Sequence, residues 1–267
     1  MQAAATFPLI SIITAVHNGA PHLAKAMLSV FAQSYPNVEY IVIDGGSTDG
    51  TLEIIDKYKD RLAWFVSEKD SGIAEAWNKG IAAAKGEIIG ILNADDWYEK
   101  DALQQVAEHF QEADIVYGKL RYWKEGEETY TVSARHELLK NEMSLSHPAV
   151  FVRRSLYESR GNFNTSFRYA MDYEFLLRCY IAGCRFRYTG SVLANMSAGG
   201  LSDRQWLQGI REVRKAKNAY IGNRFLNYLW FMKQTGSIFL SRTLTKLGLE
   251  RIVRMYRKFS AVPKMKS

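Results

Sequence analysis

Apolar runs and helical periodicities take turns along the first hundred residues. Residues 9–16 are β-branched and almost continuously apolar, the pattern of a strand buried on both faces. His17-Asn18-Gly19-Ala20 breaks the run. Pro21, suited to a first helical turn, then opens a segment in which Leu23, Met27, Val30 and Phe31 recur at helical spacing. A second strand over 38–43 and a polar loop over 44–50 precede a helix carrying Leu52, Ile54, Ile55 and Tyr58. A third strand over 62–66, a loop over 67–72 and a helix over 73–85, closed by Gly86, complete the series before a fourth strand over 87–92. Four strands alternating with three helices predict a parallel α/β sheet. Right-handed crossovers place the loops at 17–20, 44–50, 67–72 and 93–96 along one sheet edge, where ligands bind in such folds.

The pattern after residue 100 is less regular. It predicts a helix over 101–110 with Leu103, Val106 and Phe110 inward, and a hairpin of 114–123 with 128–132 turning at Glu125-Gly126. A strand over 149–152, a helix over 173–182 closed by Gly183, and two strands over 184–188 and 192–196 follow. Residues 197–203 form a Gly/Ser-rich loop.

Composition adds little to the fold but something about partners. The chain has 267 residues and a net charge of +7. Residues 206–267 hold 14 Lys/Arg against two acids, Glu212 and Glu250, so a mildly acidic body carries a basic tail. Two domains are expected on this basis: a body over 1–205 and a basic helical extension over 206–267. In the tail, Leu240, Leu244, Leu247, Ile252, Met255, Tyr256 and Phe259 approximate one helical face, with Arg and Lys mainly on the rest. Behind Tyr228-Leu229-Trp230-Phe231-Met232, that pattern fits either an anionic membrane surface or a helix packed on the body with a solvated basic face. No apolar segment approaches the ~20 residues of a membrane span, and no nucleic-acid-binding module is recognisable. The N-terminus lacks the basic and apolar regions of a secretory signal, and Cys179 and Cys184 read as reduced and structural. A cytoplasmic protein, peripheral on the inner membrane face, is the resulting expectation.

Candidate chemistry starts where the fourth strand ends, at Asn93-Ala94-Asp95-Asp96. Adjacent carboxylates at a strand's carboxyl end require a cation, a donor-rich ligand or open solvent. Oxygen ligands suit a hard divalent ion, Mn²⁺ or Mg²⁺. The plainer alternative is a solvated turn with Asp96 capping a short helix.

Taken together, several motifs resemble glycosyltransferase family two. Ser11-Ile12-Ile13-Thr14-Ala15-Val16-His17-Asn18 and Ile43-Asp44-Gly45-Gly46-Ser47-Thr48-Asp49-Gly50-Thr51 look like its opening. Residues 68–72, Asn78-Lys79-Gly80 and Asn93-Ala94-Asp95-Asp96 continue the match in order. Ser146-His147-Pro148 and Met171-Asp172-Tyr173-Glu174 resemble its acceptor-half motifs, and the likeness spans roughly 8–205. It implies a GT-A fold, in which a Rossmann-like nucleotide-binding half with a mixed sheet, over about 8–100, adjoins an acceptor half over about 101–205, with C-terminal helices after it. It also implies a UDP-, GDP- or dTDP-linked sugar donor and inverting transfer to a glycan or lipid-linked acceptor in surface polysaccharide synthesis.

By the same resemblance, Thr14, Ala15, His17, Asn18, Asp44, Asp70, Asn78, Asn93, Asp95, Asp96 and His147 surround the donor, with Asp44 at the base or ribose. Asp95, with Asp96 beside it, holds the metal, and Asp172 is the catalytic base. The chain departs from many relatives at Asp44-Gly45, His17, Trp77 and Asn93, which bears on nucleobase and ribose recognition. At the start of a helix, the dipole and backbone N–H groups are expected to keep Asp172 ionised; capping that helix is its other role. Glu174 is expected to face away. His147 either lines the pocket, helps hold the metal or is a satisfied core histidine. Trp77, Trp97 and Tyr169 are candidates to stack on a sugar or to pack, Lys79 to meet a phosphate or solvent, and Arg204 to pair the diphosphate. Two other functions stay open at this stage: a sugar-nucleotidyltransferase, and a non-catalytic, membrane-associated sugar-nucleotide-binding protein. G-x-G-x-x-G is absent, which argues against a dinucleotide-dependent oxidoreductase.

Overall fold

A single mixed sheet carries the molecule in the computed structural model, which describes residues 7–197, 205–247 and 249. Strands β1 (Ile10–Val16), β2 (Val38–Asp44), β3 (Trp64–Ser67) and β4 (Ile88–Ile91) run parallel in the spatial order β3-β2-β1-β4. Helices α1 (Ala20–Phe31), α2 (Thr51–Tyr58) and α3 (Ile73–Ala83) connect them. On one face Leu23, Met27 and Val30 of α1 and Ile55 of α2 pack on Ile10, Ile12 and Val42. Trp77 and Ile81 of α3 cover Ile13, Ile41 and Ile89 on the other face. Sheet residues at both i and i+1 are therefore buried, which is why their runs read as continuous and not alternating.

Two boundaries differ from the sequence reading. The third strand starts at Trp64, after a short 3₁₀ turn over Lys59–Arg61, and its outer side is exposed because only β2 flanks it. Gly86 does not close α3, which ends at Ala83 with Ala84 already extended. Gly86 lies instead against β1, where a Cβ would meet Ser11 Oγ at 2.5 Å and Leu9 O at 2.7 Å. A close backbone approach fixes this glycine, not a helix terminus.

Beyond β4 the sheet turns mixed. β5 (Trp97–Tyr98), β6 (Ile115–Lys124), β7 (Glu127–Val132), β8 (Val150–Arg153) and β9 (Phe186–Ser197) extend it. β8 runs antiparallel to both β4 and β6, and β9 lies parallel to β6. The β6–β7 hairpin turns at Glu125 and Gly126, both with positive φ, as expected. The two strands expected over 184–196 are one, β9, because register shifts against β6 and a positive φ at Gly190 absorb the polar interruption. α4 (Ala102–His109), α5 (Arg154–Arg160) and α6 (Met171–Ile181) complete this half. β5 and α5 have no counterpart in the pattern: one is two residues long, and the other follows β8 without a loop.

The basic extension starts with α7 (Trp206–Tyr220), packed between α6 and α8 (Arg224–Lys246). Asn223 caps α8, its side chain accepting from the Leu226 N–H at 3.1 Å. Among the described residues no helix is long and apolar enough to cross a membrane, and both cysteines are free. Arg204 and the tail positions from Glu250 onward lie outside the described residues.

Candidate active site

The loops after β1 and β2 are stitched together at the sheet's carboxyl edge. Asn18 has positive φ, donates its N–H to Ser47 Oγ at 2.7 Å and accepts from the Thr48 N–H on Oδ1 at 2.9 Å. The Gly19 N–H reaches Thr51 Oγ1 at 3.0 Å, the Ala20 N–H reaches Asp49 at 3.2 Å, and the Gly45 N–H bonds Val16 O at 2.8 Å. Gly45 packs beside Asp70 and His17, so the third loop joins the same hollow. His17 and Asn18 stay exposed at its rim.

Several residues expected to touch the donor build this edge from inside. Thr14 is fully buried and accepts the Tyr40 hydroxyl at 2.9 Å, and Ala15 is also buried. Asp44, expected at the base or ribose, has no exposed surface. Its carboxylate accepts from the Gly46 and Ser47 N–H groups at 3.1 and 3.0 Å and from the Ser47 and Ser67 hydroxyls at 2.5 and 2.6 Å. Four donors fill its lone pairs, so here Asp44 shapes the loop. Asn78 likewise uses both ends of its amide on Phe163, at 2.9 Å to the carbonyl and 3.0 Å from the N–H, and seams α3 to the acceptor half. Lys79 sits among Asp70, Glu68 and Glu75 at 2.5, 2.7 and 3.5 Å. Hydrogen bonds to Asp70 and Glu68 push its pKa up, so it holds the acidic loop and not a phosphate.

The acid pair after β4 divides. Asp95 is half-buried, its carbonyl accepting the Ser197 hydroxyl at 3.2 Å. Asp96 points inward at 1% exposure. Burial, then the Asp95 charge, raises its pKa well above the ordinary carboxylate range, which favours the protonated form. Asn93 donates to its Oδ2 at 3.0 Å, whereas Asp96 Oδ1 and Asn93 Oδ1 are buried without a partner. Of the two acids expected at the metal, Asp95 is thus the more accessible and Asp96 faces the interior. Among the described residues no three His, Cys, Asp or Glu side chains gather as a metal site. The Asp95 carboxylate and the orphan Asn93 amide oxygen are hard donors in one loop. They fit a divalent ion that completes its shell with phosphate oxygens and water.

Asp172 lies in the first turn of α6 and lines a hollow with Ile91, His147, Val150, Tyr157 and Phe163. Ile91 is the last residue of β4, so the hollow touches the strand that leads to Asp95. The Tyr173 N–H donates to Asp172 at 2.8 Å, yet burial dominates and pushes the carboxyl up to about 6, with Glu212 adding to the rise. Lost hydration outweighs the backbone N–H groups and turns the shift upward, opposite to what the helix start alone would give. A carboxylate at that value is a stronger base than an ordinary aspartate and is still ionised at neutral pH. Burial pushes His147 down to about 4. It is therefore a neutral wall of the hollow, Nε2 lying 3.3 Å from Ile91 O and the ring 4.3 Å from Trp77.

The remaining candidates sort by contact. Trp77 is core, packed on His147 and Phe163. Lys25 sits 2.9 Å over the Trp97 ring, so that ring meets a cation and not a sugar. Glu174 faces away from the hollow, paired with Arg178 at 3.2 Å and accepting from the Tyr220 hydroxyl. The sequence reading passed over Glu212, whose carboxylate accepts from the Arg168, Tyr169 and Ala170 N–H groups at 2.7 to 3.0 Å. Its signal is compositional: one acid inside a run of cations.

A parallel four-stranded half whose β4 leads to Asp95, joined to a mixed half whose α6 sets Asp172 beside Ile91 of that strand, is the arrangement of a GT-A fold. The chain belongs to glycosyltransferase family two: the model of glycosyl transferase family 2 matches residues 11–184. A PGL/p-HBAD biosynthesis glycosyltransferase of Mycobacterium bovis is 31% identical over 205 residues, covering 73% of this chain and 80% of that one. TuaG of Bacillus subtilis, a putative teichuronic acid biosynthesis glycosyltransferase, is 34% identical over 118 residues, or 43% of this chain and 47% of that one. The fold matches that of a Pyrobaculum calidifontis mannosyltransferase in complex with GDP-Man and Mn²⁺, with a TM-score of 0.67 and 18% identity. That match covers 96% of this chain and 84% of the other.

Proposed function

We propose that the protein transfers a sugar, with inversion, from a nucleoside diphosphate-sugar to a hydroxyl of a glycan or lipid-linked acceptor in surface polysaccharide synthesis. The observation that carries the reading is Asp172, a half-buried carboxyl of raised basicity that lines a hollow with Ile91 of β4. Its carboxylate takes the acceptor O–H proton while the acceptor oxygen bonds the anomeric carbon from the face opposite the leaving group. As that bond forms, the bond from the anomeric carbon to the diphosphate oxygen breaks, and its electron pair leaves with the nucleoside diphosphate. Asp95 and the Asn93 amide oxygen would hold a divalent ion, which would supply Lewis-acid stabilisation of the departing diphosphate. A nucleotide-sugar donor and the use of Mn²⁺ are supported by the ligands of the matched mannosyltransferase. Glycan and glycolipid synthesis is supported by the relatives, one a PGL/p-HBAD and one a putative teichuronic acid biosynthesis glycosyltransferase.

Asp172→Asn is expected to bind UDP or GDP normally and to lose about a hundredfold or more in transfer. Transfer by the wild type falls as pH drops through about 6, where the base takes its proton. Normal turnover by the Asn variant would move the base elsewhere.

The reading places the enzyme on an anionic membrane surface through α8. Phe225, Leu229, Met232, Phe239 and Leu247 recur along one side of that helix at 48–69% exposure, in a stretch bearing Arg224, Lys233 and Arg242 and no acid. Flotation with phosphatidylglycerol vesicles is expected to carry the wild type and to leave a Phe225→Asp/Phe239→Asp double variant behind; equal flotation removes the anchor.

A further inference from the structure

We infer that Glu212, on the basic C-terminal extension, is a positioning residue for the transfer step: it fixes the main chain that enters α6 and thereby the place of the Asp172 carboxylate. The inference rests on the reading of Asp172 as the base. One Glu212 oxygen accepts the Arg168 N–H at 2.9 Å. The other accepts the N–H groups of Arg168, Tyr169 and Ala170 at 3.0, 2.7 and 2.9 Å. Ala170 is the residue before the first turn of α6, and Asp172 is the second residue of that helix. Three successive N–H groups pointing at one carboxylate are charge-assisted bonds that leave the segment little freedom.

The grip extends to both sides of this point. Lys215, one turn further along α7, reaches Ser166 O at 3.2 Å and its hydroxyl at 3.1 Å, and lies 4.4 Å over the Phe167 ring. At the far end of α7, Tyr220 donates to Glu174 at 2.5 Å. The extension thus clasps residues 166–174 at three places, with Asp172 between the second and the third. A carboxylate that must meet an acceptor hydroxyl tolerates little displacement, since about 1 Å of misplacement can remove about a hundredfold in rate.

Among the described residues, few charged and titratable groups surround Asp172. His147 and Tyr157 line its hollow, Glu174 and Arg178 pair with each other on its own helix, and Glu212 faces it from α7. Removing the Glu212 charge therefore acts on Asp172 in two separable ways, through position and through repulsion.

The test measures nucleoside diphosphate release from a panel of UDP-, GDP- and dTDP-sugars with Mn²⁺, alongside UDP and GDP affinity by calorimetry. Glu212→Gln is expected to bind nucleotide within about twofold of the wild type while kcat falls roughly ten- to a hundredfold. Its acid limb moves to lower pH because a like charge is gone. Glu212→Asp keeps the charge and shortens the reach, so it retains the wild-type acid limb without recovering full kcat. A Gln variant with unchanged kcat and acid limb overturns the inference. Parallel loss of melting temperature, nucleotide affinity and kcat in both variants makes the role purely structural and overturns it as well. Normal turnover by Asp172→Asn would instead defeat the underlying reading, whatever Glu212 does; an inactive Asp172→Asn beside a wild-type-like Glu212→Gln defeats this inference alone.

Discussion

In the nucleotide half each loop of the site leaves the end of its own strand, whereas the base side is assembled from segments far apart in the chain. Asn18 meets Ser47 and Thr48 because β1 and β2 are paired in parallel register, which brings their carboxyl ends together whatever the loop residues are. Asp172 has no such guarantee. Its helix is located by Asn78 gripping Phe163, 85 positions along the chain, and by Glu212 reaching back more than 40 positions. Strand pairing spreads the placement of the first half over many bonds; single polar contacts concentrate that of the second. The base side is therefore the more easily broken by one substitution that leaves the fold standing.

The largest effect is expected at the residue the sheet delivers directly. Asp95→Ala should cost about a hundredfold or more in Mn²⁺-dependent donor turnover while circular dichroism is unchanged. Turnover equal to wild type would take the metal away from this loop. Next comes the seam: Asn78→Ala leaves the N–H and carbonyl of Phe163 without their partner and should lower stability by roughly 1–3 kcal/mol. Chemical denaturation reads that change, and a variant as stable as wild type would show that water replaces the amide. The smallest effect belongs to Asp96→Asn, which exchanges a buried carboxyl for a neutral amide of the same shape. Stability should change by less than about 1 kcal/mol, with turnover close to wild type. A loss matching that of Asp95→Ala would return Asp96 to the metal.

Much of this contrast was legible in advance. Strand runs at both i and i+1, glycine and proline punctuation and the βαβ rhythm gave the parallel half and the edge where its loops meet. The motifs marked Asp95, Asp172 and His147 as residues of one site. Which of two adjacent acids faces the cleft was not legible, because Asp95 and Asp96 are the same letter and only packing around Asn93 and Tyr98 separates them. Nor were the internal duties of Thr14, Asp44 and Asn78, whose polar side chains look equally fit for a ligand until their partners are known.

Local pattern alone thus settled the parallel pairing of the first four strands and the edge where their loops gather, since apolar periodicity and crossover handedness act over short stretches of chain. Tertiary structure alone decided the direction of the Asp172 shift, the burial of Asp96 and the clasp of α7 on the segment before α6. Hydration and hydrogen-bond partners depend on what lies across the cleft, and a linear string of residues carries no term for that.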